Sequence, residues 1–560
     1  MARSVIDPIT RIEGHLRAEM EVNDGVVTDA WISGGCFRGM ELIVKDRTPE
    51  DAAHIVQRIC GVCPVSHTHA SSIAGEQAYG ITIPNNARII RNLIEGAQFL
   101  HSHILWFYNL AGLDYVNPLN ALSADIADTF DMAEALGSPA ADFANLQQRL
   151  ARFAENGQLS IFSGNWFPTA EQYKNKTNEY NLPPEADLIL TAHYLEALQM
   201  QAKASEISAL LGGKMPHIMT IVPGGTSFVP TAEKLDDLKG LVDEVYDWVS
   251  TRLIPDTMAL ATYYPEVAKF GNSHGRYAAW GVFERPFDAS TSYEDRMLNR
   301  YLPMGILNPE GDLENVDESK ITEYVGHSWY EGSDDLPPFE LGTHPAYTEY
   351  NVDDRYTWNK CPSYNGNPLE CGGFARLMVA YKRNVPFIVE HIDTLLEGMG
   401  AQKGDLSVLE NTLGRTAARQ VETLYIATLM KDWVAELCEA LASGDSAYFA
   451  APEQKDGEGT GWWEAPRGAL YHSEKIKNGK IEDYNIVIPS TWNLAPRNKD
   501  GVRGPLEEAL IGVPVADLEK PIQALRTVHS FDPCTACAVH IVEPKTGKKF
   551  ETVTSPWGVK

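Results

Sequence analysis

The sequence predicts an α+β fold: one large, mainly helical domain with a small N-terminal β region and irregular strand and loop insertions. Three observations carry this. Long stretches between residues 86 and 443 repeat apolar residues at helical spacing. The first 45 residues read as short strands and turns. Pro and Gly are spread along all 560 residues rather than gathered into a linker, and there is no heptad run, tandem repeat or low-complexity block. Length alone would suggest several domains of about 100–200 residues each, but nothing in the sequence marks a boundary.

Taken in order, Leu16–Val22 and Val26–Ile32 are strand-like and lead to a Gly-Gly loop before Cys36. Residues 50–60 look helical and run into Cys60-Gly61-Val62-Cys63-Pro64. From Asn86 to about Leu110, Ile90, Leu93, Ile94, Ala97, Ile104, Leu105 and Tyr108 keep helical spacing. Further helices are predicted at 185–211, stopped by Gly212-Gly213, at 232–253 and at 412–443. The stretch 265–370, rich in Pro, Gly, Tyr and Asp, predicts irregular structure with short strands. Residues 451–461 read as a polar loop. Its Gly-x-Gly-x-Gly is not a nucleotide fingerprint, because no apolar strand leads into it.

Lys plus Arg total 47 against 76 Asp plus Glu, a formal net charge of −29. That argues against a nucleic-acid binder, which needs a basic face, and against direct docking on an anionic membrane. The N-terminus lacks the charged-then-apolar pattern of a signal peptide. No apolar run approaches the roughly 20 residues that span a bilayer. Any export would rely on a partner's signal.

The eight cysteines are too sparse for a disulfide scaffold. Four of them form two C-x-x-C pairs near opposite ends of the chain, Cys60/Cys63 and Cys534/Cys537. Two-residue spacing lets both sulfurs of a pair face one ion, and four thiolates suit a soft or borderline metal. A zinc site is the first alternative, but zinc ribbons place their pairs about 15–20 residues apart in one small module. A thioredoxin-like redox pair needs only one C-x-x-C in a βαβ setting. Each pair here is followed by a His. Spacing alone therefore indicates a shared metal and leaves its identity open. Cys36, Cys361, Cys371 and Cys438 have no motif partner and read as buried free thiols.

The segments Arg58–His67 and Asp532–His540 resemble the paired motifs of nickel–iron hydrogenase large subunits, R-x-C-G-x-C-x-x-x-H and D-P-C-x-x-C-x-x-H. The resemblance extends, in family order, through Arg11-Ile12-Glu13-Gly14-His15, Phe37–Glu41, Gly212–His217, Ile321–Tyr330, Glu464–Gly468 and Val487–Asn493, and covers nearly the whole chain. It implies that Cys60 and Cys534 bind nickel terminally, while Cys63 and Cys537 bridge nickel to an iron carrying cyanide and carbon monoxide. Glu13 corresponds to the glutamate that takes a proton from the Cys534 side, and a salt-bridged turn residue is its bland alternative. Arg467 corresponds to the arginine over the open metal face, with Pro466 and Ser490 lining the pocket of the diatomic ligands. His67 lies one helical turn after Cys63, within reach of a bridging thiolate as an outer donor, with a satisfied core histidine as the alternative. Glu41, the Ile486 carbonyl and His540 correspond to ligands of a structural magnesium (or iron) ion, a hard cation suited to oxygen donors.

The chain departs from the family at His101-Ser102-His103, where many members have His-Asp-His, although Asp532 could still pair with Arg467. It also has Lys360-Cys361-Pro362-Ser363-Tyr364 where the family has Lys-Ala-Pro-Arg-Tyr. The resemblance implies a domain over 1–540 and an extension, 541–560, removed on maturation. It further implies an enzyme that reversibly cleaves H2 into protons and electrons. Its expected partners are an iron–sulfur small subunit, a maturation protease, metal-insertion proteins and, in a respiratory uptake setting, a membrane cytochrome or quinone-linked subunit. The expected location is membrane-associated or periplasmic through the small subunit, with a cytoplasmic one left open. A hydrogen-sensing regulator and a non-catalytic complex I-like subunit are the alternatives. The first generally lacks a cleavable tail, and the second lacks the cysteine pairs.

Overall fold

Alternation in the first residues produces a sheet. In the computed structural model, which describes residues 2–159, 179–453 and 455–535, β1 (Ala2–Ile6), β2 (Leu16–Asn23) and β3 (Val26–Gly34) form an antiparallel sheet in sequence order. On β2 the alternate residues Leu16, Ala18, Met20 and Val22 are buried, as a period of two requires. The described chain is 48% helical and 16% strand. None of its helices is long and apolar enough to cross a membrane.

Two short helices deliver the first cysteine pair. Helix α1 (Pro49–Ile55) starts where the Asp51 N–H donates to Thr48 Oγ1 at 3.2 Å, with Pro49 in the first turn, where its missing N–H costs nothing. A 3₁₀ turn, Val56–Ile59, then leads to Cys60 in extended conformation. Helix α2 (Pro64–Tyr79) begins directly after Cys63 and ends at Gly80 in the left-handed region. Every residue of α2 except Gln77 is buried, although Ser66, His67, Thr68, His69, Ser71, Ser72 and Glu76 are polar.

The long predicted helices form the core. These are α3 (Asn85–Ile104), α4 (Pro184–Gly212), α5 (Ala232–Trp248) and, further on, Thr412–Ser443, with α3 packed between α4 and the last of these. The stretch predicted to reach Leu110 turns into a wider π-helical turn at Leu105–Ala111. The helix predicted to end at 253 has a similar turn at Val249–Leu253 and then continues as α6 (Ile254–Tyr263). Pro255 explains the second widening: it has no N–H to donate, and its ring presses on the preceding turn. Helix α7 (Gly373–Lys382) precedes the last long helix, α8 (Thr412–Ser443). The predicted irregular stretch contains short strands, among them Tyr277–Ala279, Gly305–Leu307 and Ile321–Tyr324. Cys361 and Cys371 are buried as expected, whereas Cys36 and Cys438 are only half-buried.

The polar loop expected at 451–461 is corrected by the structure. From Gly457 it is strand β4 (Gly457–Ala465), paired with β5 (Gly468–Lys477), which pairs in turn with β6 (Lys480–Val487). Its glycines serve packing. A Cβ on Gly457, Gly459 or Gly461 would fall 2.6, 2.0 or 1.8 Å from the carbonyl oxygens of Ala78, Ala74 and Ala70 on α2. Glycine at every second strand position meets alanine at every fourth helix position, so the two backbones lie almost in contact. Sequence periodicity registered no strand because the inward residues have no side chains. Gly461→Ala is therefore expected to cost about 3 kcal/mol by overpacking and to push α2, with Cys63 at its start, off its strand. Chemical denaturation of the purified variant checks this; a midpoint equal to the parent's would refute the close-packing account.

Candidate metal centre

Cys60, Cys63 and Cys534 are buried, and their sulfurs lie within 4.8 Å of one another, with Cys60 Sγ 3.4 Å from Cys534 Sγ. Cys537 and His540 fall outside the described residues. The first pair is shaped by its own turn: the N–H groups of Val62 and Cys63 donate to Cys60 Sγ at 3.3 and 3.2 Å. Burial would push the Cys60 thiol up, but hydrogen bonds from Cys534 and Cys63, together with the nearby Arg467 charge, hold it well below its ordinary value. Cys534 is driven the other way, first by its contact with Cys60 and then by Cys63 and burial. Three sulfurs this close in a dry site cannot all ionise unaided. A bound cation removes that conflict, and thiolates are the donors that soft and borderline metals prefer, so the residues present fit a nickel–iron group.

Cys534 arrives from the far end of the chain by a tertiary route. Helix α9 (Pro489–Asn493) supplies Ser490, whose hydroxyl accepts the Cys534 N–H at 3.0 Å. Helix α10 (Ile522–Ser530) ends next to Asp532, which takes a left-handed φ of 50° and turns Pro533–Cys534 inward. Glu13 and Cys534 then meet as a parallel bridge, and the Thr535 N–H donates to the Glu13 carbonyl at 2.8 Å. The half-buried Glu13 is thus placed beside Cys534 by backbone pairing.

Sequence reasoning missed the residue that ties these two segments together. Buried Asp114 takes Arg11 Nη2 at 2.5 Å on one oxygen and His529 Nδ1 at 2.5 Å on the other, while His529 Nε2 donates to the Thr10 carbonyl at 2.9 Å. Burial pushes the Asp114 carboxyl up, but the charges of Arg11 and His529 outweigh it and hold it down at about 2. Nothing around Asp114 in sequence signals this, because both partners come from elsewhere in the chain.

Pro466 and Arg467 form the two-residue turn between β4 and β5, closed by the Ala465–Gly468 pair. Gly468 is needed at its φ of 133°, since a Cβ there would lie 2.5 Å from Cys371 Sγ. Arg376 on α7, also missed, fixes this turn by donating to the Ala465 and Pro466 carbonyls at 3.0 and 2.8 Å, and it is held in turn by Glu422 and Glu464. Arg467 is buried. Its Nη2 lies 3.0 Å from Asp532 Oδ1, so the pairing raised as an option does form, and its Nη1 lies 3.4 Å from the hydroxyl of Ser102. Its Nε has no partner among the described residues. Burial would lower the guanidinium's pKa, but Asp532 and then the cysteines overcome that and raise it. Arg467 is a fixed cation beside the sulfurs.

His67 lies on the first turns of α2, with its Nδ1 3.1 Å from His472 Nε2. Burial lowers its pKa to about 4, so it is neutral. Glu41 stands in a cavity of about 150 Å³ that runs from Cys534 and Ser490 to Ile486, Glu323 and Lys360. Glu41 Oε1 accepts the Ile486 N–H at 3.0 Å, and its other oxygen takes the Thr343 hydroxyl. Two of the three expected ligands of the second ion are therefore adjacent, in a space that opens onto the cysteines.

A family model described as nickel-dependent hydrogenase matches residues 38–540, and one described as HoxL-like matches 3–33. The hydrogenase-2 large chain of Escherichia coli (strain K12) is 38% identical over 569 residues, covering 97% of each chain. The uptake hydrogenase large subunit of Rhodobacter capsulatus is 37% identical over 598 residues, covering 98% of this chain and 97% of its own. The reduced Ni-Fe-Se hydrogenase of D. vulgaris Hildenborough superposes with a TM-score of 0.78 at 35% identity, over 96% of this chain and 100% of that one. Similar along almost its whole length to these proteins, and with three buried cysteine sulfurs gathered from both ends of its fold, the chain belongs to the nickel-dependent hydrogenases as a catalytic large subunit.

Proposed function

We propose that this subunit oxidises H2 reversibly to two protons and two electrons, with Cys60 and Cys534 as terminal nickel ligands and Cys63 and Cys537 bridging nickel to iron. The observation that carries the reading is the junction of Cys60, Cys63 and Cys534 within 4.8 Å beside the buried Arg467. When bound, the nickel–iron pair, with cyanide and carbon monoxide on iron, polarises the hydrogen molecule for heterolysis. Arg467 presents a preorganised positive charge to the cysteine site and could donate to a cyanide nitrogen once the group is bound. Pro466 and Ser490 exclude water around the diatomic ligands. Cys534 holds the first proton, and Glu13 moves it on. His67 orients the bridging side of the site. Glu41, the Ile486 carbonyl and His540 hold the magnesium (or iron) ion that pins the C-terminal segment.

The same reading assigns the chain an iron–sulfur small subunit as electron acceptor, since the described residues offer no second cysteine cluster. A membrane cytochrome or quinone-linked subunit would follow in the electron path, and the small subunit would set the location at the membrane or in the periplasm. Residues 541–560 are removed by a maturation protease after metal-insertion proteins load nickel. Until then the tail would keep Cys537 and His540 from completing the site, where unpaired thiolates would repel.

Metal analysis tests the reading. Purified complex should hold about one nickel and one active-site iron per large subunit, show infrared bands of bound carbon monoxide and cyanide, and weigh in without residues 541–560. Stoichiometric zinc without those bands would overturn the assignment, and an intact tail on loaded enzyme would overturn the maturation step alone.

A further inference from the structure

Helix α2 is an unusual element: buried almost throughout, yet polar on several faces. Its row Cys63, His67, Ser71, Gly75, Tyr79 advances four residues at a time, so these positions lie in a line along one face. That line faces the sheet surface carrying Gly461, Gly459, His472, Glu474 and Tyr484, which strand register places side by side. The groups connect. His67 Nδ1 is 3.1 Å from His472 Nε2, His472 Nδ1 is 2.8 Å from the Tyr484 hydroxyl, and the Tyr484 hydroxyl donates to Ser71 Oγ at 2.8 Å. Beyond Ser71 stands Glu474, fully buried, with Oε1 3.2 Å from where a Cβ on Gly75 would be. Neither Glu474 oxygen has a partner among the described residues, and the hydroxyls of Ser72 and Tyr79 are likewise unpartnered. The half-buried Glu50 on α1 acts electrostatically on both Glu474 and Tyr79, which marks the outer end of the file.

We infer that this file is a second proton route, leading from His67 beside the cysteine site through His472, Tyr484 and Ser71 to Glu474 as relay, and out at Glu50. The inference rests on the reading of the cysteine site as hydrogen-activating. A buried carboxyl with two unpartnered oxygens is costly in a core, and its natural partner is ordered water, which would also bridge Ser71 to Glu474 and Glu474 to Tyr79. Each hop breaks one N–H or O–H bond and forms the next, so a proton delivered at His67 is matched by one released at Glu50. Burial, reinforced by the Glu50 charge, pushes the Glu474 carboxyl up to about 8, so it can both hold and pass a proton near neutrality. No simpler packing role accounts for a carboxylic acid at this position, since a residue without ionisable oxygens would fill the same space at less cost.

The test separates parallel routes from damage. In the loaded complex, E474Q should slow D2/H2O exchange by about tenfold or more in a Glu13→Gln background, where this file carries what exchange remains, and by a far smaller factor when Glu13 is present and carries most of the flux. Tyr484→Phe, which breaks the link between His472 and Ser71 without touching the carboxyl, should reproduce the pattern if E474Q folds poorly. As a readout independent of turnover, the infrared spectrum of the full complex at neutral pH should contain a protonated-carboxyl band that shifts in D2O and is absent from E474Q. Loss by the same factor in both backgrounds, no loss in either, or absence of that band would overturn the route. The parent complex's own exchange activity and carbonyl bands report separately on whether the cysteine site activates hydrogen.

Discussion

Glu13→Gln is expected to slow turnover and hydrogen–deuterium exchange by about a thousandfold while nickel and iron remain in place. The substitution keeps shape and hydrogen-bonding length. The contacts that place the residue, the bridge to Cys534 and the Thr535 N–H donating to the Glu13 carbonyl, are made by backbone and survive it. What is lost is proton capacity, because an amide does not take up and release a proton at neutral pH. The expected signature is therefore a normally loaded site that no longer passes protons outward at speed. Exchange assays alongside metal analysis check it, and near-parental exchange would remove Glu13 from the path.

Arg467→Lys should cost a hundredfold or more, roughly the loss seen when one preorganised donor is removed from a dry site. Charge is retained, so a purely long-range role would leave the rate almost unchanged. The geometry argues otherwise. Arg467 occupies a two-residue turn and reaches Asp532 with one arm and Ser102 with the other, while its Nε stays unpartnered. A lysine ammonium is a single point on a flexible stem, and beside Asp532 it would pair there and give up the second direction. Metals should still load, because Arg467 is not a ligand. Steady-state hydrogen oxidation with metal content as control decides it; a parental rate would relegate Arg467 to packing.

Much of the fold was legible because apolar periodicity survives wherever one face is buried. The helices Asn85–Ile104, Pro184–Gly212 and Thr412–Ser443 and the strands β2 and β3 lie close to their predicted positions. Two kinds of feature were not legible. The strand Gly457–Ala465 was hidden because its inward positions are glycine, so close helix packing left no apolar alternation to read. The supports of the site, Asp114 between Arg11 and His529 and Arg376 under the Ala465–Pro466 carbonyls, were hidden because each is an isolated charged residue whose partners lie far along the chain.

The sequence by itself determined the chemistry on offer: two cysteine pairs, a glutamate in the opening motif, an arginine after Ala-Pro, and the family resemblance that assigns them roles. Local motifs suffice for that, since ligand type and spacing are properties of a few adjacent residues. Only the tertiary structure decided that Cys534 comes within 3.4 Å of Cys60, that Asp532 rather than residue 102 carries the charge opposite Arg467, and that α2 lies on a glycine-lined strand with Glu474 beneath it. Those are distances between segments far apart in the chain. They follow from how whole elements pack, and burial then sets which charges are paired, which sulfurs ionise and which carboxyl keeps its proton.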